Sequence, residues 1–189
     1  MYLTQGIVLK KQDKGENDKV AVFFTRDYGK IALVAKGIRK SGSKLASHIE
    51  LFSLSEIGFV LGKAKSVLTS AEEVDAFSSI KNDPERSKAA GHIVELVLKY
   101  TLDEEPDEEI FNILRQAFFY LDEKEFTELE LEYFLRYFEF RFLSILGYQP
   151  KEVDILHFFS GENKKMNKQT LAEIKQTLLR YFKNVFNEV

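Results

Sequence analysis

The chain of 189 residues carries 27 Lys+Arg against 30 Asp+Glu, a formal net charge of −3, and 44% of its residues are hydrophobic. That apolar share is too high for a disordered chain, and the length fits one large domain or two small ones. It contains no cysteine, which excludes a disulfide framework, a thiolate zinc site, a Cys nucleophile and an iron–sulfur cluster, and fits a reducing compartment.

The opening MYLTQGIVLKK lacks the apolar run and small-residue cleavage site of a signal peptide. No window is apolar enough to span a membrane, so none is expected. Tyr2 to Lys11 reads as a first strand that ends in the polar stretch Gln12 to Asn17. Val20, Val22 and Phe24 alternate with Ala21 and Phe23 as a second. Arg26-Asp27-Tyr28-Gly29 is a turn signal, because Gly takes a positive φ without penalty. Lys30 to Ala35 alternates again, and residues 36–48 form a Gly-, Ser- and Lys-rich loop. Leu51 to Leu61 is the fourth strand, and Gly62-Lys63 turns into the fifth, Ala64 to Ala71. Five short strands with turn signals between them imply a small closed barrel.

The period changes near residue 80. Asp83-Pro84-Glu85 starts a helix, with Asp as cap and Pro at the first position. Asp103 to Pro106 breaks it, and Pro106-Asp107-Glu108-Glu109 opens another with an acidic first turn. Thr127 and Glu130 fit a capping box for a third helix, apolar nearly all round from Leu131 to Leu146, which predicts a central place in a bundle. Gly147 stops it and Pro150 follows. Residues 151–166 read as irregular, and Thr170 with Glu173 fit the start of a closing helix. The expected architecture is α+β: a barrel domain over residues 1–80, then a helical domain over 81–189.

The charge is unevenly spread. Residues 1–70 hold 12 basic and 6 acidic side chains, while residues 71–132 hold 6 basic and 18 acidic. A basic first third points to a polyanion, or to a solvated lysine-rich face. The stretch 30–49 contains five cations and no acid: Lys30, Lys36, Arg39, Lys40 and Lys44. A basic loop leaving a barrel strand suits phosphate contacts. Lys10, Lys11 and Lys19 are further candidates, although nearby acids offer them partners. Tyr28, Phe23 and Phe52 read as core first and base-stacking platforms second. His48, His92 and His157 lack metal-ligand spacing, and the acidic run Asp103 to Glu109 reads as a solvated helix entry. No nucleophile elbow or P-loop appears, so no enzyme, metal or cofactor is expected.

These blocks converge on a family. The chain resembles RecO, a bacterial DNA recombination mediator, in Gly6-Ile7-Val8-Leu9, Gly15-Glu16-Asn17-Asp18-Lys19, Phe24-Thr25, Gly29-Lys30 and Val34-Ala35-Lys36-Gly37 with Arg39-Lys40. A second block is Arg136, Phe138-Glu139, Leu146-Gly147-Tyr148 and Pro150. The resemblance implies a five-stranded oligonucleotide-binding (OB) barrel followed by an all-α domain. It implies binding to single- and double-stranded DNA, strand annealing, and help in loading RecA on gaps coated with single-stranded DNA-binding protein (SSB). It also implies RecR and the acidic SSB tail as partners, no nucleotide hydrolysis, and a bacterial cytoplasmic protein associated with the nucleoid.

Within that resemblance, Lys36 and Arg39 are the first choice for phosphate contact, then Lys30, Lys40 and Lys44, then Lys10, Lys11 and Lys19. Arg136 and Arg141 are expected to meet the SSB tail, with pairing of Arg136 to Glu132 or Glu139 as the alternative. The chain departs from the family in lacking the four-cysteine module after Leu-Gly-Tyr, which is shortened here to residues 151–166. The other functional reading is an OB-plus-helix protein-interaction adaptor with little affinity for DNA.

Overall fold

The computed structural model describes residues 1–41, 43, 45–62, 65–151, 153–159 and 167–186. Five strands come first: β1 (Tyr2–Lys14), β2 (Asp18–Thr25), β3 (Gly29–Ala35), β4 (Leu54–Val60) and β5 (Ser66–Asp75). They close into a barrel in the order β1-β2-β3-β5-β4. This is the five-stranded Greek-key arrangement of an OB fold. β1 serves two neighbours, pairing with β4 from Tyr2 to Ile7 and with β2 from Gly6 to Lys14, with a register shift between Val8 and Lys10. The weakest seam is β3–β5, where only Leu33↔Ser66 and Val34↔Val67 pair in parallel.

Side-chain alternation puts Ala21, Phe23, Ile31, Leu33, Ile57, Phe59 and Leu68 inside the barrel. The strand bounds differ modestly from expectation. β1 runs on to Lys14 because the β1–β2 hairpin stays paired through polar residues, down to Lys14↔Asp18. β4 starts late because Phe52 takes a positive φ of 72° and turns the chain into the sheet. The basic loop contains a short 3-10 helix at Ala46–His48.

The chain divides into two compact units, Met1–Glu123 and Lys124–Val189. The first unit therefore includes α1 (Ser78–Asn82), α2 (Pro84–Tyr100) and α3 (Glu108–Glu123) along with the barrel. Asp83 caps α2, its carboxylate accepting from the Glu85 and Arg86 amides. Asp107 Oδ1 accepts from the Ile110 amide at the start of α3. Short α1 escapes the helical period; the Asp122 carboxylate caps it from α3, accepting from the Ser79 and Ile80 amides. The buried Arg86 guanidinium donates to the Leu121 and Asp122 carbonyls at the end of α3. Phe52, at the entry to β4, and Phe77, between β5 and α1, both meet Phe118 of α3 edge-to-face, with centroids 5.7 Å apart in each pair.

A strap between α2 and α3 closes part of the exposed β3 edge. The Glu104 amide donates to the Lys30 carbonyl at 2.9 Å, and Lys30 and Asp103 form an isolated parallel bridge. The strap passes so close to Gly29, at φ 63°, that a Cβ there would collide with the Glu105 backbone.

The second unit holds α4 (Glu128–Ile145), α5 (Val153–Phe159) and α6 (Lys168–Phe186). Thr127 and Glu130 form the expected capping box. Gly147, at φ 85°, follows the end of α4. The side chains Leu131, Phe134 and Leu135 are only half-buried, so the first turns of α4 are less central than their composition implies. α5 occupies part of the stretch expected to be irregular; at 7 residues it is too short to show a helical period. Residues 160–166 of that stretch lie outside the described residues. The closing helix starts from Asn167, whose side-chain oxygen accepts from the Thr170 amide at 2.9 Å.

Candidate nucleic-acid interface

Two of the sequence blocks interlock. The Gly37 amide donates to Asp18 Oδ1 at 2.7 Å, and the Arg39 amide donates to the Asn17 carbonyl at 3.0 Å. Arg39 Nη1 also reaches the Gly15 carbonyl at 3.4 Å. Gly37 turns the chain at φ 64°, which lets its amide face Asp18. This latch ties the β1–β2 connection to the start of the basic loop, and it fixes where Lys36, Arg39 and Lys40 emerge.

The expected cations separate into three groups. Lys10, Lys36 and Lys40 are exposed, and no ion pair holds any of them among the described residues. Lys11, Lys19 and Arg39 are paired: Lys11 with Glu50 at 2.7 Å, Lys19 with Asp13 at 3.3 Å and Arg39 with Asp13 at 3.4 Å. Lys30 is buried. Its Nζ donates to the Leu98 and Thr101 carbonyls at 2.7 Å each and pairs with Asp103 at 3.2 Å. It fastens the end of α2 to the barrel and has nothing left to offer a phosphate. Lys44 lies outside the described residues.

Two further lysines belong with these cations, half-buried Lys14 and exposed Lys65. Lys14 ends β1 and Lys65 precedes β5, so they sit at the β1–β2 and β4–β5 connections, the loops by which OB folds grip oligonucleotides. Partial loss of hydration, then the abutting Lys65 ammonium, holds Lys14 below the ordinary lysine value. Lys36 pushes in the same direction and Asp18 opposes it. Three chain segments thus bring the like charges of Lys65 and, more weakly, Lys36 to bear on Lys14. The sequence signal for Lys14 and Lys65 was their place at the two connections of an OB barrel, not any local motif.

The aromatic candidates are mostly core. Phe23 is fully buried and Phe52 packs on Phe118. Tyr28 is half-buried in a cluster with Tyr2 and Phe59. His48 is occupied: its Nδ1 accepts from the Glu73 amide. The His157 side chain lies outside the described residues. Among the described residues no three His, Asp or Glu side chains converge as metal ligands.

In the second unit Arg136 is 3% exposed, with Nη1 2.8 Å from Glu139 and Nε 3.4 Å from Glu132. Both flanking glutamates hold it inside, the pairing given as the alternative to an external carboxylate. Arg141 is exposed.

A family model for the N-terminal part of recombination protein O matches residues 1–77, and one for its C-terminal part matches residues 81–153. The chain belongs to the RecO family. It is 31% identical over 150 residues to DNA repair protein RecO of Halalkalibacterium halodurans, covering 79% of this chain and 58% of that protein. It is 36% identical over 149 residues to the RecO of Alkaliphilus metalliredigens, covering 78% of this chain and 58% of that protein. It is 33% identical over 150 residues to that of Dehalococcoides mccartyi strain 195, with 79% and 58% covered. The matches thus span under two thirds of these relatives. The RecO assignment agrees with the closed OB barrel and the helices that follow it. No described helix is long and apolar enough to cross a membrane.

Proposed function

We propose that this chain acts in DNA repair as a RecO-type mediator and holds DNA on the barrel. The observation that carries this reading is the convergence of Lys14 and Lys65, from the β1–β2 and β4–β5 connections, with Lys36 at the start of the basic loop; Lys10 and Lys40 are also exposed. In an OB barrel such a basic groove tracks the backbone of a single strand, and phosphate neutralisation releases counterions. Neutralising two strands on one surface also lowers the repulsion that opposes annealing, so no catalytic residue is needed. Help in loading RecA, and partnership with RecR and SSB, follow from family membership. With Arg136 buried, Arg141 is the one of the two expected arginines exposed to an acidic tail.

The test is anisotropy of a labelled single-stranded oligonucleotide titrated across a salt series. Wild type should bind in a salt-sensitive manner without ATP or metal. Lys36→Ala/Lys65→Ala should flatten the slope of log K against log salt by about 1.4, at roughly 0.7 for each phosphate that is no longer neutralised. No binding at low salt, or an unchanged slope, would refute the assignment and leave the protein-adaptor reading.

A further inference from the structure

The outer face of β1, β4 and β5 differs in character from the basic connections it borders at the β4–β5 end. Met1 is 80% exposed, Leu3 65%, Leu61 61% and Val60 38%. The register brings them together: Tyr2↔Phe59 and Leu3↔Gly58 pair, so Met1 and Leu3 flank Val60 across the β1–β4 ladder. Leu3 lies over Gly58, where an added Cβ would meet Leu3 Cδ2 at 3.2 Å and collide with Ser70 Oγ. The surface there is a flat apolar shelf.

Carboxylates border the shelf. Glu56 and Glu72 stand directly opposite each other across the β4–β5 ladder, and both are exposed. Like charges in that position destabilise a sheet. Neither has an ion pair among the described residues. With Leu3, Ser70 and Asp27 they line a surface cavity of about 540 Å³. Asp27 accepts a hydrogen bond from Thr4 Oγ1 at 2.6 Å. Arg26 also lines the cavity, but Glu108 holds its guanidinium at 3.0 Å.

We propose that this face docks an extended segment of a partner protein in which a Lys or Arg is followed, at alternate positions, by apolar side chains. The cation enters between Glu56 and Glu72 and removes their repulsion, while the apolar side chains cover Leu3 and Val60. Charge decides against nucleic acid, since a phosphate chain laid across these carboxylates is repelled. Glu56 and Val60 are four residues apart on one strand face, about 13 Å at roughly 3.3 Å per residue. A matching ligand therefore has its cation four residues from its last apolar side chain, with alternate side chains facing the sheet. The proposal does not rest on DNA binding, because the Lys14, Lys36 and Lys65 cluster is not part of this face.

The probe is a labelled peptide, acetyl-Arg-Ser-Leu-Ser-Leu-amide, titrated onto the full chain, with the Glu-for-Arg peptide as control. The Arg peptide should bind and the Glu peptide should not. Glu56→Gln/Glu72→Gln and, separately, Leu3→Ser should each weaken binding about tenfold, while Lys88→Ala, on α2, leaves it unchanged. Glu72→Gln should also raise the melting temperature of the free protein, because it relieves a like-charge pair. Equal binding of the two peptides, or full affinity in Glu56→Gln/Glu72→Gln, would overturn the proposal. Concentration-dependent dimerisation abolished by Leu3→Ser would overturn it in favour of a second copy of this chain.

Discussion

Replacing Lys30 with methionine separates a structural lysine from a DNA-binding one. The substitution keeps most of the buried stem but removes the ammonium that serves the Leu98 and Thr101 carbonyls at 2.7 Å. Hydrogen bonds to a charged group contribute about 1.5–3 kcal/mol each, and a buried acceptor left without a partner costs on the order of 1–3 kcal/mol. Loss of the charge also relieves a desolvation cost, so the net destabilisation should be about 3 kcal/mol. For a cooperative unit of this size, that corresponds to a fall of roughly 10 °C in melting temperature. Urea unfolding measures the first quantity and calorimetry the second. Single-strand affinity, measured well below the transition, should stay within about twofold of wild type. The reasoning is refuted if Lys30→Met melts like wild type and loses DNA affinity, since Lys30 would then face solvent and phosphate.

Asp18→Ala removes the acceptor for the Gly37 amide, so the basic loop loses its anchor. DNA affinity should fall about threefold to tenfold through Lys36 and Lys40 although no cation has been removed, and amide exchange at Gly37 should accelerate. Binding a phosphate favours the ammonium form of Lys14, which Lys65 and lost hydration disfavour in the free protein. DNA affinity should therefore decline as pH rises through the lowered Lys14 value, with proton uptake visible as a buffer-dependent binding heat at alkaline pH. In the free protein the same group makes stability rise with pH between its lowered folded value and its ordinary unfolded one, because the unfolded chain holds that proton more tightly. Thr127→Ala should cost about 1 kcal/mol in urea unfolding by breaking the capping box. The Thr127 amide and hydroxyl hold the Glu130 carboxyl below its ordinary value, so the hydroxyl–carboxylate part is present above the unfolded value and fades as acid protonates Glu130; the gap between wild type and Thr127→Ala should narrow there but not close, because the hydroxyl still accepts from the Glu130 amide.

Local chemistry was legible in the sequence. The alternation through β2 and β3, the Asp83 cap and the Thr127–Glu130 box each involve residues a few positions apart, so their partners are visible in a short window. Arg136 was half legible for the same reason: Glu132 and Glu139 sit one helical turn away on either side, and only burial decides between them and an outside carboxylate. Lys30 was not legible, because its fate depends on carbonyls 68 and 71 residues further along the chain. Lys14 and Lys65 meet only once the barrel closes, and nothing near either residue announces it. The block Gly15 to Lys19 was recognisable as a motif, yet its Asp18 turns out to fasten the neighbouring loop.

The sparse β3–β5 seam bears on how this barrel can be handled as a part. A gene fragment ending at residue 80 would contain all five strands and still lack what completes them. Lys30 would lose both carbonyl partners, Phe52 and Phe77 would lose Phe118, and the β3 edge at Gly29 and Lys30 would stand open beside only two paired residues of β5. An open strand edge next to uncovered phenylalanines invites intermolecular pairing. Excision after Glu123, the bound of the first compact unit, keeps these partners, whereas excision at the end of the last strand should yield a sticky, aggregating fragment.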